Sequence, residues 1–401
     1  MTSPLAAKRI ILGVTGGIAC YKAVPVARLL TQAGAEVDVI LTRSAGEFIG
    51  GLTFEAVTGR RVYTTLHGRG HALDHIRLPR AADLLVVAPA TADFLARAAQ
   101  GRANDLLAAS LLANAAPVLL VPAMNDRMWA HPQTGINVRH LRSIGYELLE
   151  PAEGPLAVGE GSGPGRMPEP DEIVAHCARL LAWPTMRGLR VLVTAGPTRE
   201  PVDPVRYLSN HSSGRMGVAI AAAAWTRGAD VTLVHGPLGV PLPVGVRAIA
   251  VTSTASMCDA VRTAIVGADV VVMAAAPADF MAAAPAAEKI KKGTAAREIA
   301  LAPTVDILRA TIDGRKPGAT IVGFALETTN VLDNARAKLE AKALDMIVAN
   351  DATEPGAGFE VGTNRVTLVR RSGADEQLSL MSKAHLATVI LDRVEQLRDG
   401  R

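Results

Sequence analysis

The highest density of side chains that can bind or activate a substrate lies in the run that follows Gly196. Asn210, Ser212 and Ser213 supply an amide and two hydroxyls, shortly after a stretch that predicts a buried strand. Either serine is a good N-cap for the helix expected next, and Gly214 lets the backbone approach a phosphate at the start of that helix. Polar residues at this density after a buried strand indicate a ligand site.

The lysines are unevenly distributed along the chain. None of the nine lies between Lys22 and Lys289, whereas six fall between Lys289 and Lys342. This cluster indicates a polyanion site; the alternative is a solvated surface patch, which holds if these lysines point apart. Together with the serine-rich turn, the lysines indicate a nucleoside triphosphate. The GxxxxGK(S/T) loop of ordinary ATPases is absent, which favours a Rossmann-like nucleotide site over a P-loop.

A second glycine-bearing turn lies near the amino terminus, where Gly13-Val14-Thr15-Gly16-Gly17 joins a predicted strand to a predicted helix. Its backbone N–H groups and the start of the helix can face an anion. The turn does not match GxGxxG, and no acidic residue stands about 20 residues further on, where the ribose of NAD requires one. A mononucleotide such as FMN suits this turn better.

Two more residues in the first half have candidate chemical roles. Asn125 lies within Pro122–Trp129, at the end of a predicted buried strand, and its carboxamide can bind a carboxylate or a carbonyl group. The methionines and the tryptophan around it are more often core residues. His75 is either a general base or a surface histidine, and the residues alone favour the surface interpretation.

The elements that must position these residues repeat in the two halves. Hydrophobic periodicity predicts strand, helix and strand in the first half at Lys8–Gly13, Gly16–Ala33 and Glu36–Thr42, and in the second half at Arg190–Ala195, Ser213–Gly228 and Asp230–His235. The predicted fold class is therefore α/β, with two doubly wound Rossmann-like domains. Ligands bind such sheets beyond the carboxyl ends of the strands. Shared architecture without shared function remains the alternative.

The predicted boundary between the domains is at residue 186, which gives domains of residues 1–186 and 187–401. Glu150–Pro170, just before it, is dense in glycine and proline and has no periodicity. A loop of this length in a compact domain is usually a lid or a linker. We predict a lid that belongs to the first domain.

Composition excludes several classes of protein. A chain of 401 residues with 49% apolar and 20% charged residues is long enough for two cores and is too apolar to be disordered. Three widely spaced cysteines predict neither a disulfide frame nor a zinc site and fit a reducing cytoplasm. The longest apolar stretches are interrupted by proline and polar residues, so no membrane span is expected. The net charge of +4 forms no basic stripe, which disfavours nucleic-acid binding.

Five motifs together resemble one family, the bifunctional coenzyme A biosynthesis proteins, in which a phosphopantothenoylcysteine decarboxylase is fused to a phosphopantothenate–cysteine ligase. The motifs are Ala88-Pro89-Ala90-Thr91-Ala92-Asp93, Pro122–Trp129, Ala195–Gly217, Glu288-Lys289-Ile290-Lys291-Lys292, and Gly323-Phe324-Ala325 followed by Glu327-Thr328. The resemblance covers nearly the whole chain.

For the first domain the resemblance implies a flavodoxin-like fold of the flavin-containing cysteine decarboxylase type, with FMN bound between subunits of a trimer. FMN would oxidise the cysteinyl thiol so that CO2 can leave, and would then return the electrons. His75 and Asn125 match the catalytic pair, as base and carboxylate holder. The implied FMN-binding residues are Gly16, Gly17, Ile18, Thr42, Pro89, Ala90 and Thr91, and the implied substrate-binding residues are Met128, Arg166 and Met167.

For the second domain the resemblance implies a CTP-dependent ligase that works through an acyl-cytidylate, with Mg2+ bridging the phosphates. Asn210 and Lys289 are the implied catalytic residues, and Asp279 would contact the ribose or the metal. The implied CTP-binding residues are Ser212, Ser213, Gly214, Met273, Ala274, Ala275, Asp279, Lys289, Val305, Asp306, Ile307, Leu308, Phe324, Lys338 and Lys342. The implied assembly is a dodecamer of decarboxylase trimers and ligase dimers.

Two departures from the family pattern are visible. Many members carry a proton-donating cysteine in the lid, where this chain has Val158; Ser162, a substrate group or water would have to replace it. The second departure is Val305, where members often have proline. Three other hypotheses follow: an active ligase with an altered decarboxylase half, an NAD(P)-dependent oxidoreductase, and a non-enzymatic binding protein. The missing GxGxxG disfavours the oxidoreductase, and the retained His75 and Asn125 disfavour the binding protein.

Overall fold

The computed structural model describes residues 3–68, 71–156, 158–159, 161–292, 298–354, 356, 358 and 361–400. The chain divides into two compact units, with the division between Ala182 and Trp183. Each unit is built around its own parallel sheet.

The described part of the first unit contains a six-stranded parallel sheet and a two-stranded hairpin. The strands are β1 (Arg9–Val14), β2 (Glu36–Leu41), β3 (Val62–Tyr63), β4 (Leu84–Ala90), β5 (Val118–Pro122), β6 (Glu147–Leu148), β7 (Ala152–Pro155) and β8 (Ser162–Arg166). The sheet order is β3-β2-β1-β4-β5-β6. The order reverses between β1 and β4, so the loops that follow these two strands flank a crevice at the carboxyl edge.

Helices cover both faces of this sheet. They are α1 (Cys20–Gln32), α2 (Arg43–Gly46), α3 (Gly51–Thr58), α4 (Asp74–Ala81), α5 (Ala92–Ala99), α6 (Leu106–Leu112), α7 (Asp126–Ala130), α8 (Pro132–Ser143) and α9 (Pro170–Leu181). Alternate strand residues face opposite layers: Leu12 packs in the cluster that contains α1, α3 and α9, whereas Ile11 packs in the cluster that contains α4, α5, α6 and α8. Burial on both faces explains why these strands read as continuous apolar runs.

The described part of the second unit contains an eight-stranded sheet in the order β13-β12-β9-β14-β17-β18-β20-β21, of which β20 and β21 are antiparallel to their neighbours. The strands of this unit are β9 (Arg190–Ala195), β10 (Glu200–Pro201), β11 (Tyr207–Leu208), β12 (Asp230–His235), β13 (Arg247–Ala250), β14 (Val270–Met273), β15 (Phe280–Ala282), β16 (Leu301–Pro303), β17 (Thr320–Glu327), β18 (Met346–Asp351), β19 (Thr363–Asn364), β20 (Thr367–Arg370), β21 (Glu376–Gln377) and β22 (Met381–Ser382). The order reverses between β9 and β14.

The helices of the second unit lie in two layers. They are α10 (Arg215–Thr226), α11 (Thr254–Ile265), α12 (Ile307–Ala310), α13 (Val331–Ala341) and α14 (Lys383–Asp399). Helices α11, α12 and α13 share one hydrophobic cluster with alternate residues of the sheet, such as Leu192 and Val271. Helices α10 and α14 pack against each other and contribute nothing to that cluster. This division follows from the right-handed crossover rule. The connection through α10 leads from β9 toward one edge of the sheet, whereas the connections through α11, α12 and α13 lead toward the other edge. Right-handed connections that run in opposite directions place their helices on opposite faces of the sheet.

The doubly wound α/β fold predicted from the sequence is confirmed in both units. The predicted helices at Gly16 and Ser213 begin later, at Cys20 and Arg215, because the glycines and serines before them form turns. The three cysteines are buried and free. None of the described helices is long and apolar enough to span a bilayer.

Glu150–Pro170 was predicted as irregular, and it instead contains the antiparallel hairpin β7–β8. Because this segment is rich in glycine and proline, it lacks the apolar–polar alternation from which a strand is predicted. The hairpin packs against α7, and it is also held by the loop before α7, where Met124 N donates to Gly165 O at 3.0 Å. A Cβ at Gly165 would lie 2.2 Å from Met124 O, so only glycine permits this approach. Ala157 and Glu160 of the predicted lid lie outside the described residues.

Candidate active sites

A cavity of about 970 Å3 opens at the carboxyl ends of β1, β4 and β5, and we call it the N-terminal cavity. Its walls come from the turns after β1, β2 and β4, from the start of α7, and from the hairpin β7–β8. The sequence-predicted residues that line it are Gly16, Gly17, Ile18, Thr42, Pro89, Thr91, Asn125, Met128, Arg166 and Met167.

The turn after β1 is packed against the turn after β4. Thr15 makes this connection: its Oγ1 donates to Pro89 O at 2.8 Å and accepts from Thr91 N at 3.1 Å. A Cβ at Gly16 would lie 2.4 Å from the Cβ of Ser44, so the turn after β2 also presses on this glycine. Gly17, by contrast, has only Thr91 Cγ2 within 4 Å of such a Cβ, at 3.8 Å. The three turns form a cradle of backbone open to the cavity, suited to an anion.

The opposite wall of the N-terminal cavity carries Asn125. This residue is the N-cap of α7, and its Oδ1 accepts from Arg127 N at 2.9 Å. The same amide therefore caps a helix and borders the cavity. Buried Lys22 fixes the end of the hairpin, because its Nζ donates to Met167 O at 2.8 Å and pairs with Glu169 at 2.9 Å. The Lys22 hydrogen bond holds the pKa of Glu169 below its ordinary value.

His75 does not line the N-terminal cavity of its own chain. It lies in the first turn of α4, half-buried, and its Nδ1 is a buried atom without a hydrogen-bond partner in the part of the chain that the structure describes. Its neighbour Asp74 is 3% exposed and pairs with Arg61 at 3.3 Å and Arg77 at 2.9 Å. These pairs fix the start of α4. Within one described chain, therefore, His75 and Asn125 are not brought into the same cavity.

The residue that stands in place of the lid cysteine and the serine suggested as its replacement are both exposed. Val158 is fully exposed, and Ser162 begins β8 without lining the cavity. Neither side chain is therefore placed in the cavity to donate a proton.

A second cavity, of about 440 Å3, opens at the carboxyl ends of β9, β14, β17 and β18, and we call it the C-terminal cavity. The sequence-predicted residues that line it are Asn210, Ser212, Ser213, Gly214, Met273, Ala274, Ala275, Asp279, Val305, Asp306, Ile307, Leu308, Phe324, Lys338 and Lys342.

Lys338 of α13 and Lys342, the C-cap of that helix, provide positive charge on one wall. Lys338 Nζ donates to Phe324 O at 2.7 Å, and Lys342 Nζ pairs with Asp306 at 2.9 Å. Burial, followed by the charge of Lys342, lowers the pKa of Lys338. Burial alone would raise the pKa of Asp306, but the hydrogen bonds from Lys342 and from Arg309 N, together with the charges of Lys342 and Lys338, lower it. This wall is suited to an anionic ligand.

Asn210 joins the turn before α10 to the loop after β14. Its Nδ2 donates to Ala276 O at 3.2 Å and to Pro277 O at 3.1 Å. The prediction that Ser212 or Ser213 is the N-cap of α10 is wrong. The N-cap is Gly214, with φ +77°, and Ser212 Oγ accepts from Gly214 N at 3.3 Å. A residue with a Cβ is strained at this φ and would also meet Leu238.

The loop after β14 is fixed from below by a buried hydroxyl network. Thr198 Oγ1 accepts from Ala278 N at 2.9 Å and lies 2.8 Å from Thr254 Oγ1, which also donates to Glu200 at 2.8 Å. Asp279, the next residue, is exposed at the cavity without an ion pair to any described residue. No group of three or more described His, Cys, Asp or Glu residues is arranged to hold a metal ion.

Lys289 is exposed and lies outside the C-terminal cavity. The adjacent residue is held firmly: Asp203 Oδ2 accepts from Ile290 N at 3.1 Å, and Arg206 donates to Ile290 O at 2.5 Å. Burial would raise the pKa of Asp203, but hydrogen bonds from Val205, Arg206 and Ile290 hold it well below its ordinary value. The lysine-bearing segment is thus anchored at its base by buried Asp203 and its ion pair with exposed Arg206.

The comparisons with known proteins divide the chain in two. Residues 2–182 match the family described as Flavoprotein, and residues 186–397 match the DNA/pantothenate metabolism flavoprotein C-terminal domain. The coenzyme A biosynthesis bifunctional protein CoaBC of Mycolicibacterium smegmatis is 48% identical over 405 residues, which cover 97% of each chain. The chain belongs to the CoaBC family. The CoaBC protein of Vibrio cholerae is 44% identical, with 98% of this chain and 99% of that protein covered.

Two solved structures are also similar to parts of the chain. The C-terminal domain of a CoaBC protein is 38% identical, with a TM-score of 0.46, and covers 54% of this chain and 99% of its own. The FMN-dependent cysteine decarboxylase SpaF is 34% identical, with a TM-score of 0.38, and covers 44% of this chain and 97% of its own.

Most of the predicted site residues lie in one of the two cavities of this CoaBC family member. The exceptions are His75, Lys289 and Ala90, of which Ala90 is fully buried in β4. The lysine cluster divides: Lys338 and Lys342 line the cavity, Lys316 pairs with Asp269, and Lys289, Lys291 and Lys292 are exposed.

Several cavity residues were missed by the sequence analysis. In the N-terminal cavity these include Tyr21, Lys22, Arg43, Ser44, Arg97 and Arg102, and in the C-terminal cavity Arg215, Asn350, Asn364 and Lys383. The first-turn residues Tyr21 and Lys22 follow a glycine turn that signals the site. Lys383 carried no local signal, because it lies beyond the lysine cluster and at the start of the last helix.

Proposed function

We propose that this chain makes 4'-phosphopantetheine in two steps, by ligating 4'-phosphopantothenate to cysteine with CTP and then decarboxylating the product with FMN. Full-length similarity to CoaBC proteins supports both activities. The observation that carries the ligase assignment is the C-terminal cavity, which is lined by every predicted nucleotide residue except Lys289.

The ligase step joins the carboxylate of phosphopantothenate to the α-phosphorus of CTP, and pyrophosphate leaves. The cysteine amine then attacks the acyl carbon, and CMP leaves with the bonding electron pair. Lys338 and Lys342 supply positive charge beside the phosphates, and Asn210 holds the loop that borders the reacting centre. Asp279 and the nucleotide phosphates would hold Mg2+, because this ion needs only one or two carboxylates besides phosphate oxygens.

The N-terminal cavity has the features that FMN requires. The backbone cradle at Gly16 and Gly17 suits the phosphate, and Ile18, Met124 and Met128 offer apolar surface for a flat ring. When bound, FMN supplies reversible two-electron oxidation of the cysteinyl thiol. Asn125 then holds the departing carboxylate, and the hairpin β7–β8 shields the site from water.

His75 acts, in our proposal, on the cavity of a neighbouring copy of the chain. It does not line the cavity of its own chain, yet its Nδ1 is buried without a hydrogen-bond partner among the residues that the structure describes. A homo-oligomer with decarboxylase trimers would bring the two together. We further propose a cytoplasmic location, which the three free buried cysteines fit.

A product assay tests the overall proposal. Purified protein with CTP, Mg2+, phosphopantothenate and cysteine is expected to yield 4'-phosphopantetheine, CO2, CMP and pyrophosphate, as measured by mass spectrometry. Omission of CTP should stop all product formation. Accumulation of phosphopantothenoylcysteine without CO2 would confine the activity to the ligase half, and would mean that loss of the lid cysteine at Val158 is not compensated.

Substitution of Gly16 tests the flavin cradle. We expect Gly16→Ala to lose most of its bound flavin, because the new Cβ would lie 2.4 Å from Ser44 Cβ and displace the turn. Overpacking of this kind costs about 1–3 kcal/mol, equivalent to roughly five- to 150-fold weaker retention. Flavin absorbance per mole of folded protein measures it. Gly46→Ala is the control, because nothing lies within 4 Å of its Cβ; equal flavin in both variants would place FMN elsewhere.

A further inference from the structure

The C-terminal cavity has cationic side chains in both helix layers of the second unit. Lys338 and Lys342 come from α13, in the layer that also contains α11 and α12. Arg215 and Lys383 also line the cavity, but they begin α10 and α14, which pack together outside that layer's cluster. The roles proposed above use only the first pair. The second pair has no assigned ligand.

Lys383 is a buried cation without a carboxylate partner among the described residues. It is 7% exposed, and its Nζ donates to the backbone carbonyl of Gly358 at 2.9 Å. Burial, followed by the like charge of Arg215, lowers the pKa of its ammonium. Burying an ammonium group without a counter-charge is costly, and the cost is removed when an anion binds beside it. The position of Lys383 on the cavity wall gives such an anion access.

Two other residues of the cavity wall indicate a ligand. Arg215 is exposed at the first position of α10 and has no ion pair with a described residue, so its five donors are available. Asn350 lies one residue before the end of β18 and is more than nine-tenths buried, yet its Oδ1 has no hydrogen-bond partner among the described residues. A buried amide oxygen of this kind requires a donor, which an N–H or O–H group of a bound molecule would supply.

We propose that Lys383, Arg215 and Asn350 form a second anion subsite, which binds the phosphate end of the acid substrate. The proposal rests on the ligase function proposed above. Lys383 and Arg215 bind a phosphomonoester dianion, and Asn350 accepts from an amide or hydroxyl group of the same molecule. The subsite therefore selects phosphorylated over unphosphorylated acids.

Either substrate could supply the phosphate, but the chemistry of the reaction favours the acid. Phosphopantothenate carries its carboxylate and its phosphate at opposite ends of an extended chain. When the carboxylate meets the α-phosphorus of CTP, the phosphate must point away from the nucleotide. Lys338 and Lys342 already provide cations for the nucleotide phosphates. An acid substrate that extends across the carboxyl edge of the sheet would reach the first residues of α10 and α14.

Steady-state kinetics of ligation on the full-length protein test the subsite. For Lys383→Gln, which keeps a donor for Gly358 but removes the charge, we expect the KM for phosphopantothenate to rise about tenfold or more. The KM for CTP and the kcat/KM for unphosphorylated pantothenate should stay within about twofold of wild type. Arg215→Gln, at an exposed position, should act in the same direction, and Lys383→Arg should restore most of the affinity.

Lys316→Gln provides the matched control, since it removes one positive charge from the same unit at a residue outside the cavity. A selective rise in the KM for CTP would overturn the proposal and assign the cations to the nucleotide. Unchanged kinetics in folded Lys383→Gln and Arg215→Gln would also overturn it. Failure of the wild-type protein to ligate phosphopantothenate would instead contradict the proposed function itself.

Discussion

His75→Asn is expected to abolish CO2 release from phosphopantothenoylcysteine and to leave CTP-dependent ligation at the wild-type rate. The imidazole is the proposed base, and positioned general bases contribute about 10²–10⁴-fold to rate. Asparagine keeps a polar side chain of similar size without the ability to take a proton near neutral pH. Released CO2 measures one activity and released pyrophosphate measures the other, both on the same full-length preparation.

His140→Asn is the control for this substitution, because His140 is an exposed histidine of the same unit that does not line the N-terminal cavity. It should retain both activities. If His75→Asn also lost ligation, the two halves would not act independently. If it retained CO2 release, the proposed base would be wrong.

The position of His75 outside its own cavity adds a complementation test. His75→Asn and Asn125→Asp are each expected to be inactive in decarboxylation alone. Mixed oligomers, reassembled from the two variants, should regain part of the activity, because some cavities then combine an intact Asn125 with an intact His75 of the neighbouring copy. Absence of any recovery after verified subunit exchange would place both residues in a cavity of one chain.

The sequence allowed the sheets and most cavity residues to be predicted for a simple physical reason. In a doubly wound sheet, the residues that follow buried strands all lie at one edge, so positions such as Gly16 and Asn125 can be located from strand ends alone. The glycine turns add a second local signal. These features depend on few residues and on short stretches of chain.

The residues that could not be predicted depend on tertiary packing. Lys383 reaches the C-terminal cavity because α14 packs on α10, a contact between elements far apart in the chain. The hairpin β7–β8 lacks alternation and exists because Gly165 fits against Met124. The N-cap of α10 is a glycine because the turn requires a positive φ there, which overrides the usual preference for serine.

Lys289→Gln is expected to reduce CTP-dependent ligation by about 10²–10³-fold while CO2 release from added phosphopantothenoylcysteine continues. The proposed role is neutralisation of charge on the triphosphate, and the loss of one such group typically costs this much in rate. Because Lys289 is exposed outside the cavity, its ammonium must reach the phosphates from a segment held at Ile290 by Asp203 and Arg206. Pyrophosphate release measures the ligation.

Lys292→Gln separates this role from general electrostatic attraction. Lys292 is equally exposed on the same segment and carries the same charge. If the segment only attracted the nucleotide, both substitutions would weaken CTP binding alike and high salt would diminish the difference from wild type. A specific role requires Lys289→Gln to lower kcat at saturating CTP, with Lys292→Gln within about twofold of wild type, as expected for an exposed charge. Asp203→Asn should fall between them, because it loosens the anchor at Ile290 and leaves the ammonium in place.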